Sequence, residues 1–83
     1  MDKILVTFEV PAVALRFDAW VPEFVTPEGL RVLLYPLIRE LTGGAYTPSG
    51  EEVLCRRDNG RLLPLGISLK SMKVESGDHL LVF

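Results

Sequence analysis

From Lys3 the chain alternates: Ile4, Val6, Phe8 and Val10 fall on one parity and Lys3, Leu5, Thr7 and Glu9 on the other. A period of two is that of a strand with one buried face. Pro11-Ala12-Val13 carries a turn, and alternation resumes over residues 16–21, with Phe17, Ala19 and Val21 on one side. Pro22 ends this second strand, because it has no ladder donor. The two segments are expected to form a hairpin.

The period then changes. Thr26-Pro27-Glu28 offers a capping hydroxyl, a proline suited to the first helical position and an acid at the positive end of the helix dipole. Leu30, Leu33, Leu34, Leu37, Ile38 and Leu41 follow at helical spacing, and Gly43-Gly44 supplies a stop. Pro36 conflicts with this pattern: inside a helix it removes a hydrogen bond and costs about 3 kcal/mol. A kink or a tightened last turn is expected there.

Residues 45–51 read as a loop and 52–57 as a short strand. Asp58-Asn59-Gly60 signals a tight turn with positive φ at both central positions. Arg61-Leu62-Leu63 should return as a partner strand. Residues 68–74 read as a brief helical turn burying Leu69 and Val74, and Ser76-Gly77-Asp78 leads into a last strand over 79–83. The order β-β-α-β-β-β predicts an α+β fold, a mixed four- or five-stranded sheet packed on one helix.

Composition narrows the function. The chain has 83 residues, 48% hydrophobic and 24% charged, which suits a single domain over residues 1–83 with one modest core. A net charge of −2 without any basic run speaks against nucleic acid as a partner. No apolar stretch approaches the roughly 20 residues of a membrane span, so direct membrane insertion is not expected. The start of the chain shows no signal-peptide pattern, and one cysteine, Cys55, cannot form an internal disulfide. A cytoplasmic location is expected.

The spacing of these elements resembles that of the ubiquitin-like (β-grasp) superfamily. Val21, Thr26 and Leu30 fall where such domains place the last core residue of the second strand, the helix cap and the first helical core residue. Leu69, Val74 and Leu80 reproduce the spacing of the short turn and final strand. Phe17-Asp18 and the run Leu69…Val74…Gly77-Asp78-His79-Leu80 are most similar to the YukD/EsaB-type ubiquitin-like proteins of bacterial type VII secretion. Pro36 departs from the uninterrupted helix usual in that group. The resemblance implies a non-conjugating, cytosolic accessory or regulatory component of a type VII (ESX-like) system. It also implies a protein partner, such as the cytoplasmic domains of membrane-anchored secretion components.

Little else in the sequence points to chemistry. Cys55 and His79 are the only conventional nucleophile and base, with no acid placed to orient the histidine. One cysteine and one histidine cannot supply a structural metal site. No enzyme activity, cofactor or metal is therefore expected. A carrier of a conjugation or sulfur-transfer pathway would end in a flexible Gly-Gly tail, whereas this sequence ends at Phe83 and keeps Gly43-Gly44 internal. That carrier and a self-associating homo-oligomer are the alternative classes.

Strand parity supplies the candidate site. If Ile4, Val6, Phe8, Phe17, Ala19, Val21, Leu80 and Val82 face the helix, then Leu5, Thr7, Trp20, Leu81 and Phe83 point outward. Apolar side chains on an open sheet face are expected to meet a partner, with Trp20 and Phe83 as anchors. A second helical stripe, Val32, Tyr35, Pro36 and Arg39, is a lesser candidate.

Overall fold

In the computed structural model, which describes residues 2–83, the two alternating segments form β1 (Lys3–Val10) and β2 (Leu15–Pro22). They pair antiparallel from Lys3↔Pro22 to Val10↔Leu15. A 3-10 turn over Pro11–Val13 joins them, closed by Ala14 in the left-handed region (φ 51). Proline presets the turn's first φ, and the left-handed residue reverses the chain into β2.

The helix α1 spans Pro27–Leu41, and Thr26 Oγ1 accepts from the Gly29 N–H at 3.2 Å. At its other end Gly44 N–H donates to Arg39 O (2.9 Å) and Gly43 N–H to Glu40 O (3.2 Å), with Gly43 at φ 62. These paired bonds are the Schellman arrangement, which glycine reaches without a Cβ penalty. The helix runs through Pro36 without a break, and the proline removes one backbone hydrogen bond. That bond would have ended on the carbonyl of Val32, a residue 68% exposed.

The helical stripe is narrower than its leucines suggested. Pro27, Leu30, Leu34 and Ile38 are buried, while Leu33 and Leu41 are about half exposed. A helix lying on a sheet buries one row of residues four apart, and Leu33 and Leu41 fall beside that row.

Two short strands complete the sheet: β3 (Leu54–Arg56) and β4 (His79–Val82). β4 runs parallel to β1, pairing Phe8↔Leu80, and β3 runs antiparallel to β4, giving the order β2-β1-β4-β3. The sheet has four strands. The expected fifth, Arg61-Leu62-Leu63, reduces to an isolated bridge, Cys55↔Leu62. The turn before it closes through Gly60 N–H to Arg56 O and Arg56 N–H to Arg61 O. Only Gly60, not Asn59, takes positive φ there, so the turn is four residues long instead of the expected two.

Residues 68–74 form hydrogen-bonded turns and not a helix, yet they bury Leu69 and Val74 as expected. Leu69 N–H donates to Val25 O and Lys70 N–H to Glu23 O, tying this segment to the start of the helix. The core between helix and sheet comprises Ile4, Val6, Phe8, Val10, Leu30, Leu34, Ile38, Leu54, Leu80 and Val82 with their neighbours. Phe17, Ala19 and Leu15 on β2 are half-buried at its margin.

Candidate functional site: the outer sheet face

Pairing registers lay out the face that points away from the helix. One row holds Trp20 and Leu5, which are direct partners across β2 and β1. The next holds Asp18, Thr7 and His79, followed by Arg16, Glu9, Leu81 and Cys55. Beyond the end of β4, Phe83 and Val53 exchange both backbone hydrogen bonds (3.0 and 2.9 Å).

All five predicted residues stand on this face, but not as one patch. Trp20 is 64% and Phe83 58% exposed, whereas Leu5, Thr7 and Leu81 are half-buried. Leu5 and Leu81 sit on neighbouring strands four residues apart in register, roughly 13 Å along the strand direction. Two apolar corners result: Trp20 with Leu5, and Phe83 with Leu81, Val53 and Leu62. Val53 and Leu62, both exposed, were missed because the parity argument covered only the first two strands and the last, although both lie in segments that read as strands.

A polar belt separates the corners. Thr7 Oγ1 donates to Asp18 Oδ1 at 2.6 Å. Glu9 lies within 3.3 Å of Arg57 and 4.0 Å of Arg16, and Arg57 Nη1 also donates to His79 Nδ1 at 3.3 Å. That donation needs an unprotonated Nδ1. The ring is thus turned to Arg57, and the buried Cys55 thiol has no hydrogen bond to it among the described residues. Among those residues no group of three or more His, Cys, Asp or Glu is placed to hold a metal ion.

The second helical stripe divides. Val32, Pro36 and Arg39 are exposed, while Tyr35 turns inward to a feature the sequence did not reveal. Glu52, 3% exposed, accepts from Tyr35 Oη (2.6 Å), Tyr46 Oη (2.8 Å), Ser49 N–H (2.7 Å) and Gly50 N–H (3.0 Å). Arg31 Nη1 donates to the Glu52 carbonyl at 2.8 Å. Burial alone would raise this carboxyl, but the hydrogen bonds from Tyr35, Ser49 and Tyr46 outweigh it and hold it down at about 2. Burial and the same bonds push both tyrosines up to about 12. Both carboxylate oxygens of Glu52 and both tyrosine hydroxyls are bonded within the cluster, so it fastens the 45–51 loop to the helix.

No protein-family model matches the chain, and no curated protein matches it. Solved structures do. The ubiquitin-like domain of the Mycobacterium tuberculosis type VII secretion system protein EccD1 is 21% identical, covering 99% of this chain and 98% of that one, with a TM-score of 0.74. The EccD5 ubiquitin-like domain from Mycobacterium xenopi is 20% identical over 100% and 94%, TM-score 0.75. A ubiquitin-like domain from an Arabidopsis thaliana protein is 20% identical over 100% and 78%, also at 0.75.

The fold is the ubiquitin-like β-grasp. Identities of this size speak for the fold alone. Within this β-grasp the Gly43-Gly44 pair serves as the helix stop, and among the described residues no helix is long and apolar enough to cross a membrane.

Proposed function

We propose that the chain is a non-conjugating ubiquitin-like module of a bacterial type VII secretion system, without catalytic activity of its own. In this reading it acts in the cytosol as an accessory or regulatory component of the YukD/EsaB type. Its partner is a cytoplasmic domain of a membrane-anchored secretion component, held by the outer sheet face. The reading rests chiefly on Trp20 and Phe83, two large aromatics that stand 64% and 58% exposed on one face. Buried aromatics dominate binding energy at interfaces, and Trp20 and Phe83 each stand beside further apolar side chains in an exposed corner of the sheet. Two ubiquitin-like domains of type VII secretion proteins are among the solved structures that share this fold, which supports the choice of pathway.

Leu5 and Leu81 would widen the two apolar corners, with Thr7 and the polar belt giving register between them. The decisive test is titration against purified cytoplasmic domains of membrane-anchored type VII secretion components, with Trp20→Ala and Phe83→Ser as probes. Each substitution is expected to weaken binding at least tenfold while the fold stays cooperative. Unchanged affinity in both would remove this surface, and no binding to any such domain would remove the pathway.

A further inference from the structure

The edge of the sheet carries an inference that goes beyond the partner-binding face and does not depend on it. β2 is an outermost strand. Its bonding parity follows from β1: Thr7 N–H donates to Asp78 O and Gly77 N–H to Leu5 O, so the odd residues of β1 turn their peptide groups toward β4. The even ones must face β2, where their partners are Leu15, Phe17, Ala19 and Val21. The peptide groups of Arg16, Asp18 and Trp20 therefore point outward, and among the described residues no strand pairs with them. An open edge of this length is a template for another strand.

The residues along that edge specify what fits. In antiparallel pairing, directly opposed residues share a face and opposite charges attract. A strand seated here needs an acid opposite Arg16, a base opposite Asp18, and apolar residues opposite Leu15, Phe17 and Ala19. Read backwards, Ala19-Asp18-Phe17-Arg16-Leu15 is that sequence. A two-fold axis at Phe17 sets Phe17 against its copy, Arg16 against Asp18, Asp18 against Arg16, and Leu15 against Ala19. Centring on Asp18 would oppose two carboxylates. Centring on Ala19 would oppose Arg16 to Pro22, which has no N–H to give.

We propose that this chain pairs with a second copy of itself through β2, antiparallel and centred on Phe17, joining two four-stranded sheets into one. Both charged groups are available: the Arg16 side chain is 61% exposed and only 4.0 Å from Glu9, and Asp18 gives Thr7 a single oxygen, Oδ1. The register makes four backbone hydrogen bonds and two ion pairs. Two-fold contacts of this kind close on themselves and stop at a dimer.

Charge reversal tests it on the intact chain by sedimentation across a dilution series. The wild type is expected to approach twice the monomer mass as concentration rises. Arg16→Asp alone, or Asp18→Arg alone, sets like charges opposite each other and is expected to weaken association at least tenfold. Mixing the two variants, or combining them in one chain, restores complementarity and should restore the dimer. Amide exchange in the wild type supplies a readout without mutation: the Arg16 and Asp18 N–H groups slow with concentration, and the Trp20 N–H, outside this register, does not. A monomer at every concentration overturns the proposal. So does a dimer lost with Phe83→Ser but not with either charge reversal, or one that mixing fails to restore.

Discussion

Phe8 and Leu80, paired across β1 and β4, are fully buried beneath the helix. Thr7 and His79, one residue earlier in the same ladder, lie on the opposite face beside Asp18 and Arg57. Inside, the side chains are uniformly apolar and their identity is fixed by volume. Outside, apolar corners alternate with a hydrogen-bonded belt, and no common packing rule holds the row together. The inner face thus carries the stability of the fold, while the outer face can vary with what it meets.

The largest effect expected from this contrast is on the inner side. Phe8 is fully buried and its ring lies 5.6 Å from that of Phe17. Phe8→Ala should cost about 3–5 kcal/mol, through lost transfer energy and the cavity left behind. Urea denaturation measures it, and a loss below about 1 kcal/mol would mean that the core collapses around the gap.

That inner face was legible in advance because alternation and helical spacing are local signals. Ile4, Val6 and Phe8 follow from parity, Thr26 from capping chemistry, and Gly43 from the need for positive φ. The Glu52 cluster was not legible. Its donors come from Tyr35 on the helix and from Tyr46, Ser49 and Gly50 in the loop, and nothing local distinguishes this glutamate from a solvated strand residue. The same limit misplaced the fifth strand, since whether Arg61-Leu62-Leu63 pairs along its length depends on a four-residue turn and not on its own alternation. Parity also assigned the outward residues correctly to a face but could not show that Glu9, Arg57 and His79 would divide it.

Glu52 ranks second in expected effect, because its buried carboxylate accepts four hydrogen bonds. Glu52→Gln replaces one acceptor oxygen by a donor facing other donors, and should cost about 2–3 kcal/mol. The charge gives it a pH signature. Its carboxyl titrates near 4.5 when unfolded and about 2 when folded, so its contribution is complete above pH 4.5 and lost as pH falls toward 2. Tyr35 and Tyr46 are raised to about 12, so their share is lost as pH rises from 10 through 12. Urea midpoints measured across both windows should slope in the wild type and flatten at the acid end in Glu52→Gln. An unchanged acid slope would assign it to other carboxylates.

On the outer face the stability effects should shrink while binding effects grow. Trp20→Ala and Phe83→Ser remove side chains that are mostly in solvent, so each should change stability by less than about 1 kcal/mol. Thermal melts check this. A loss as large as that of Phe8→Ala would make these aromatics part of the core and erase the contrast between the faces.

The smallest effect belongs to the belt. Glu9 contacts Arg57, Arg16 and the His79 ring at 3.3, 4.0 and 3.9 Å, but both arginine side chains are more than half exposed. Exposed pairs of this kind contribute about 0–1 kcal/mol and are screened by salt. Glu9→Gln should therefore shift stability by about 0.5 kcal/mol at low ionic strength and less at high, measured by urea denaturation at two salt concentrations. A loss of about 2 kcal/mol that persists in salt would mean that the belt is fastened as tightly as the Glu52 cluster. The outer face would then be a second structural layer, and its apolar corners would be held at a fixed separation by the charges between them.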